Sequence, residues 1–184
     1  MKNPIVILIT IFYLFMSSCS NNEQKEQRAV DKPASRETNL KRIKNLEAEM
    51  KKSNDLSTAT AGLAIKAYTD FVLIFPDDSL SPDFLFKAGQ IATVTKQYPQ
   101  ALSYYKNITD KYPAFKYKQE SLYLQGFILD NYVNDDAKAK IIYEEVISKY
   151  PGSTYANDAK AAINNLGKSD EELIKEFKKK NGQK

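Results

Sequence analysis

Between residues 57 and 166, apolar side chains recur every three or four positions, the spacing that places them on one face of an α-helix. Three of these stretches align without gaps, and each consists of an alanine, three residues, a tyrosine, seven residues and a proline. The prolines are Pro76, Pro113 and Pro151, which lie 37 and 38 residues apart. The pattern predicts a repeated helix that each proline ends, because proline lacks the backbone N–H that a helix interior needs.

The repeated tyrosines are predicted to be core residues. Each lies four residues after the alanine and three before a second apolar position, so the three side chains share one helical face. The small alanine allows a neighbouring helix to approach, and the tyrosine fills the space beside it. We therefore expect the repeated tyrosines to be buried, whereas Tyr117, in a predicted loop, should contribute little to stability. The alanines and tyrosines are Ala64, Ala101, Ala139, Tyr68, Tyr105 and Tyr143.

A partner helix is predicted before each of the last two repeated helices, over residues 81–96 and 118–133. Ser81 is a predicted N-cap, with Pro82 at the first helical position. Gly89 and Gly126 each follow a repeat proline by 13 residues. Because glycine within a helix costs about 1 kcal/mol relative to alanine, both glycines predict a close helix–helix contact.

The ends of the repeat array are predicted to be capping helices with polar outer faces. Residues 38–56 form an amphipathic helix with a narrow apolar stripe that includes Ile43. At the other end, Gly167 is a predicted helix-terminating glycine. Ser169 and Glu172 then form a capping box for a last short helix. The repeat domain with this capping helix spans residues 57–180.

The first 37 residues differ from the repeat region. After Lys2, the run Pro4–Met16 is almost entirely apolar, but its thirteen residues would span only roughly 20 Å as a helix, short of a ~30 Å bilayer core. Residues 1–18 are therefore predicted to be a signal peptide. Residues 19–37 are mostly polar, with four basic and four acidic side chains, and are predicted to be a disordered tether.

The motif Met16-Ser17-Ser18-Cys19 resembles the lipobox of bacterial lipoproteins. The resemblance implies cleavage before Cys19, lipidation of its thiol (palmitate among the acyl chains) and attachment to a membrane. Ser20 and Asn21 do not resemble the aspartate that commonly retains lipoproteins in the inner membrane. We therefore expect a lipid-anchored protein on the periplasmic side of the outer membrane.

The repeated glycine, alanine, aromatic and proline positions resemble the tetratricopeptide repeat, although Leu85 and Leu122 stand where that family often has tryptophan. The resemblance implies an all-α solenoid of antiparallel helix pairs, in which the exposed side of each first helix lines a concave surface. Those positions form the predicted protein-binding groove, and the sequence leaves open whether its aromatic members belong to groove or core. They are Asp83, Phe86, Gln90, Glu120, Tyr123 and Phe127.

The amino-acid composition disfavours most enzyme chemistries. The chain has no histidine, one cysteine and a net charge of +4, which disfavours serine, cysteine and zinc hydrolases and gives no concentrated basic footprint for nucleic acid. Adjacent carboxylate pairs such as Asp135-Asp136 point apart on a helix. No catalytic residue, metal or cofactor is predicted. The lysine-rich tail from Lys175 to Lys184 is interpreted as a solvated end, with contact to anionic lipid as the alternative.

The whole chain resembles short tetratricopeptide-repeat lipoproteins of outer-membrane-bearing bacteria. These are related in plan to periplasmic repeat proteins of outer-membrane barrel assembly and of envelope constriction. The expected function is a scaffold that binds other envelope proteins, in assembly of an outer-membrane complex. An adaptor that coordinates cell-wall synthesis or division is the alternative, and a carboxylate-based hydrolase is a third, weaker one. The oligomeric state stays open.

Overall fold

The computed structural model describes residues 35–53, 58–180 and 182. The predicted signal peptide, Cys19 and almost all of the tether lie outside the described residues. All regular structure in the described part is helical, which confirms the all-α prediction. The helices are α1 (Arg36–Ser53), α2 (Thr58–Ile74), α3 (Ser81–Val94), α4 (Tyr98–Lys111), α5 (Lys118–Ile128), α6 (Asp136–Lys149), α7 (Thr154–Asn165) and α8 (Asp170–Lys180), with a π-helical turn at Leu129–Val133.

Consecutive helices pack side by side as antiparallel pairs, so the described residues form a solenoid like that of tetratricopeptide repeats. In each pair we call the first helix A and the second helix B. The A helices are α3, α5 and α7, and the repeated alanine–tyrosine helices α2, α4 and α6 are of type B. Helix α1 begins at Arg36, two residues before the predicted boundary, and packs on α2.

The repeated tyrosines pack against the glycines of the preceding A helices. A Cβ atom added to Gly89 would lie 2.7 Å from both Cε1 and Cζ of Tyr105. A Cβ atom on Gly126 would lie 2.7 Å from Cε1 of Tyr143. Both distances are below van der Waals contact, so only glycine leaves room for the ring. The prediction that these glycines mark close helix contacts is confirmed, and the tyrosine of the same repeat is the contacting residue.

Two clusters of buried side chains form the core. The larger extends from Ile43 in α1 to Ile128 in α5, and the smaller joins α5, the π-helical turn, α6 and α7. The repeated alanines and tyrosines are all buried, as predicted. Residues 36–184 form one compact unit that contains both clusters. A segment with its own complete core can fold independently of the rest of its chain.

The π-helical turn accommodates one extra residue in the second repeat. Gly89 and Ala101 are 12 residues apart, whereas Gly126 and Ala139 are 13 apart. The turn widens the end of the A helix, and the N–H of Asp135 donates to the carbonyl oxygen of Leu129 at 2.8 Å. The repeats thus keep their packing although their prolines are 37 residues apart in one case and 38 in the other.

Side-chain hydrogen bonds cap the beginnings of α6 and α8, whereas the cap predicted for α3 is not formed. Asp135 accepts a hydrogen bond from the backbone N–H of Lys138, and Ser169 and Glu172 exchange the two hydrogen bonds of a capping box. The prediction that Ser81 is the N-cap of α3 is wrong, because Leu80 is the capping residue. The Ser81 hydroxyl is buried and donates instead to the carbonyl oxygen of Phe75. This bond connects the new helix to the end of α2.

Candidate functional site

A groove of about 830 Å³ lies between the A helices α5 and α7, the π-helical turn and the beginning of α8. Tyr123 and Phe127 project into it from α5, and Asp158 from α7. Ala161 and Asn165 continue the α7 wall, one and two helical turns after Asp158. Asp136 and Tyr143 of the B helix α6 complete the lining.

One wall of the groove continues into a run of contacting rings that we call the aromatic strip. The ring of Tyr123 lies 5.6 Å from that of Tyr155 and 6.3 Å from that of Phe127. Phe127 meets Tyr132 edge to face at 5.8 Å, and Tyr132 stacks on Tyr98 at 4.9 Å with an interplanar angle of 3°. Because each ring limits the movement of the next, the strip is a pre-ordered apolar surface.

Three carboxylates give the groove its charge. Asp130, Asp136 and Asp158 line it together with a single cation, Lys168, so the formal charge of the lining is −2. The ammonium group of Lys168 donates to both carboxylate oxygens of Glu176, at 2.8 and 2.9 Å. This ion pair reduces the extent to which Lys168 neutralises the aspartates, so the groove attracts cations.

The ionisation of the lining residues reflects this environment. Burial raises the pKa of Asp130, and the charge of Asp136 raises it further. The hydroxyl of Tyr143 donates to Asp130 at 3.2 Å and opposes that shift. The pKa of Tyr123 is raised by burial first, and then by the charges of Asp158 and Asp130. The aromatic wall and the carboxylates are thus close enough to act on one ligand.

The aspartates of the groove are spread over three elements, the π-helical turn, α6 and α7. Within the described ranges, no group of three histidine, cysteine, aspartate or glutamate side chains is close enough to hold a metal ion. The neighbours Asp135 and Asp136 point apart, because Asp135 caps α6 and pairs with Lys138 whereas Asp136 lines the groove. The geometry offers an apolar wall and separated negative charges, which together suit the binding of an amphipathic, basic ligand.

Of the six predicted groove residues, Tyr123 and Phe127 line the groove. Glu120 lies beside the aromatic strip, where its carboxylate accepts a hydrogen bond from the Tyr155 hydroxyl at 2.9 Å. Burial and this glutamate raise the pKa of Tyr155 to about 12. The second predicted set, from α3, lies elsewhere. Asp83 pairs with Lys116 at 3.6 Å in a separate surface pocket, and Gln90 is exposed but outside the groove.

Phe86 is a core residue and not part of an exposed groove, which settles one of the alternatives that the sequence left open. Its side chain is 6% exposed. The ring stacks on Tyr117 at 4.8 Å and meets the edges of Tyr105 and Phe115 at 5.8 and 6.2 Å. The loop before α5 thus covers the face of α3 that the repeat pattern leaves open.

The groove residues of α7 were not predicted from the sequence, although their spacing from the repeat proline indicates them. Asp158 follows Pro151 by seven residues, as Asp83 follows Pro76 and Glu120 follows Pro113. Extending the same register into α7 also gives Ala161 and Asn165, and all three line the groove. Asp130 and Asp136 carry no such signal, because Asp130 lies within the π-helical turn that breaks the register and Asp136 follows it at the start of α6.

Comparison with known proteins agrees with this architecture. The family model of the tetratricopeptide repeat matches residues 83–114 and 120–153. These segments contain most of the helix pairs α3–α4 and α5–α6, so this part of the chain matches the tetratricopeptide repeat in sequence as well as in fold. Repeats of this kind generally mediate protein–protein interactions, typically as scaffolds without catalytic activity. No curated protein matches the chain. None of the helices in the described segments is long and apolar enough to cross a membrane.

Proposed function

We propose that this protein is a lipid-anchored scaffold of the bacterial cell envelope that binds a basic segment of another envelope protein in the groove between α5 and α7. The observation that carries the proposal is the groove itself, where aromatic side chains lie beside three carboxylates with a formal lining charge of −2. Assembly of an outer-membrane complex is the role that we favour. The lipobox-like motif at Cys19, followed by Ser20 and Asn21 rather than aspartate, supports attachment to that membrane.

Binding would use the two surfaces of the groove together. Tyr123 and Phe127 offer apolar surface to a ligand. Neighbouring rings already restrict both side chains, so they lose little conformational entropy when the ligand binds. Aromatic anchors of this kind commonly dominate the energy of protein interfaces. Asp136 and Asp158 would pair with lysine or arginine side chains of the bound segment. Such charges also speed association and select against acidic partners.

The charge of the groove can be tested without disturbing the core. The double variant Asp136→Asn with Asp158→Asn removes two carboxylates whose side chains are both exposed. The matched control changes Asp110 and Glu144, exposed acids of the B helices, to Asn and Gln. After crosslinking in intact envelopes, we expect the groove variant to lose the partners that the unmodified protein and the control retain. Equal recovery by both variants would contradict binding through the groove.

The membrane anchor is tested separately. Replacing Cys19 with alanine should release the protein into the soluble fraction or stall its processing at the precursor length, because no thiol remains for lipidation. Fractionation and the mass of the mature chain are the measurements. A variant that stays in the membrane fraction at mature length would contradict the lipoprotein assignment and leave the groove proposal untouched.

The alternative role, an adaptor that coordinates cell-wall synthesis or division, uses the same groove and the same anchor. The two roles differ in the identity of the partner that crosslinking recovers. A β-barrel or outer-membrane complex supports assembly, whereas cell-wall synthases or hydrolases support the adaptor. Because fold does not determine function, the partner decides between the two roles.

A further inference from the structure

The last helix, α8, has an apolar edge that is open to solvent. Ile174 is 54% exposed and Phe177 is 64% exposed, while Leu173 is half-buried beside the groove. No residue of α8 belongs to either core cluster. The helix is nevertheless well capped, since Ser169 and Glu172 exchange two hydrogen bonds at its beginning. A capped amphipathic helix outside the core is available for another surface.

Lysines flank this edge. Successive residues of an α-helix are turned by about 100°, so Lys178 lies on one side of Phe177 and Lys180, three positions on, lies on the other. Lys175 and Lys179 add positive charge to the same half of the helix, and the only acid among residues 175–180 is Glu176. Lys168 donates hydrogen bonds to Glu176 and lowers its pKa, with further contributions from the charges of Lys180 and Lys179.

The charge of α8 is therefore divided along its length. The acids of the first turn lie at the end of the helix that adjoins the groove, whereas the lysines surround the exposed apolar side chains at the other end. This arrangement is typical of helices that lie in the interface of an anionic bilayer, where apolar residues enter the acyl region and lysines extend to the headgroups. A protein interface of standard size needs about 800 Å² from each partner. Two exposed side chains on a helix about 16 Å long offer much less.

We propose that α8 docks on an anionic phospholipid surface through Ile174 and Phe177, with Lys178 and Lys180 at the headgroups. The contact is independent of the groove and of lipidation at Cys19. It would add a second point of attachment and fix the orientation of the repeat domain relative to the membrane. A single weak signal gives only reversible membrane binding, whereas two together give a stable association.

The test uses residues 36–184, which contain the complete core and exclude Cys19 and the apolar run. Flotation measures binding to vesicles of phosphatidylethanolamine with phosphatidylglycerol, and to vesicles of phosphatidylcholine alone. We expect binding to the anionic vesicles that weakens at least tenfold in the double variant Ile174→Ser with Phe177→Ser. Lys178→Gln with Lys180→Gln should abolish the preference for anionic lipid. The control is Val94→Ser with Ile141→Ser, which removes equally exposed side chains elsewhere and should bind as the unmodified domain does.

Three outcomes would overturn the proposal. The first is no binding to anionic vesicles by a domain whose helical signal and melting temperature are normal. The second is equal loss of binding in the α8 variant and the control, which would indicate nonspecific adsorption. The third is self-association, seen by sedimentation, that the α8 variant abolishes while vesicle binding is unchanged, since the edge would then serve a second copy. The groove variant Asp136→Asn with Asp158→Asn is expected to bind vesicles normally, so failure of one proposal is distinguishable from failure of the other.

Discussion

The middle of the repeat array and its C-terminal end use the same helix register but pack differently. In the middle, Tyr105 and Tyr143 each lie against a glycine of the preceding A helix, where an added Cβ would come within 2.7 Å of the ring. At the C-terminal end, the position 13 residues after the repeat proline is Asn164, and α8 contains no tyrosine. The middle helices share a buried core, whereas α8 contributes to none.

In the middle of the array, close packing of an A helix on the following B helix thus goes with a glycine–tyrosine contact. Where the pair is absent, the last helix caps the array loosely. Its beginning forms one side of the acidic groove, and its apolar edge stays exposed. The same loss of close packing thus creates both surfaces that we propose to be functional.

The largest expected effect comes from removing a middle tyrosine. Tyr105 is 1% exposed, and Tyr105→Ala should lower the free energy of unfolding by about 3 kcal/mol, because the cavity cannot be filled by its neighbours. Phe177→Ala in α8 is the matched control at the C-terminal end of the array. It should change the free energy of unfolding by less than about 0.5 kcal/mol. Urea unfolding of both variants gives the comparison. Similar midpoints for the two would contradict the division between packed middle and loose end.

Replacing the glycine of the pair should give the second largest loss of stability. Gly89→Ala should destabilise the domain by about 2 kcal/mol, because the ring of Tyr105 is buried and cannot withdraw from the added methyl group. Gly62, in α2, has nothing within 4 Å of its would-be Cβ, so Gly62→Ala should stabilise the domain by up to about 1 kcal/mol through helix propensity.

A double variant sharpens this test. If Tyr105 is the obstacle, Gly89→Ala should become neutral or stabilising when it is combined with Tyr105→Ala, since the methyl group then enters the cavity. Additive destabilisation in the double variant would show that Gly89 is needed for its backbone and not for the space that it leaves. The free energies of unfolding of the two single variants and the double variant complete the cycle.

The sequence predicted the repeat because the alternation of small and large apolar residues is a local property of each helix. It predicted a close contact at Gly89 and Gly126, since glycine is otherwise unfavourable in a helix. It could not identify the tyrosine as the contacting residue, because that depends on how far two separate helices approach. The burial of Phe86 was also unpredictable, as it depends on a loop that folds back over α3.

The structure of the loop before α5 changes the expected contribution of Tyr117 to stability. The sequence placed Tyr117 in a loop and predicted that it contributes little to stability. The ring instead stacks on Phe86 at 4.8 Å, and the ammonium group of Lys116 lies 4.7 Å from its centroid. We now expect Tyr117→Ala to cost about 1–2 kcal/mol, between the values for a buried and an exposed aromatic residue. A melting temperature equal to that of the Phe177→Ala control would show that the stacking contributes nothing.

The buried tyrosines also predict a loss of stability in alkaline solution. Burial raises the pKa of Tyr105 to about 12, and burial likewise raises the pKa values of Tyr68 and Tyr143. Unfolded tyrosines ionise near pH 10. The unfolded chain therefore releases protons first. The stability that these tyrosines contribute should be constant below about pH 10 and fall above it, by about 1.4 kcal/mol per pH unit for each such tyrosine. Urea midpoints between pH 8 and 11.5 test this, and a midpoint independent of pH would contradict the burial of these hydroxyl groups.

The smallest expected effect concerns α8 alone and separates its folding from that of the core. Ser169→Ala removes the side-chain half of the capping box and should weaken the helix by about 1 kcal/mol. Because α8 adds nothing to the core clusters, the main unfolding transition should not move. Hydrogen exchange should instead become faster in the amides of residues 170–180 only. Ser153→Ala, which removes the cap of the packed helix α7, should lower the main transition, because Ala156 and Ala159 of that helix are buried. If Ser169→Ala lowered the main transition as much as Ser153→Ala does, α8 would be part of the cooperative unit, and the contrast between middle and end would fail.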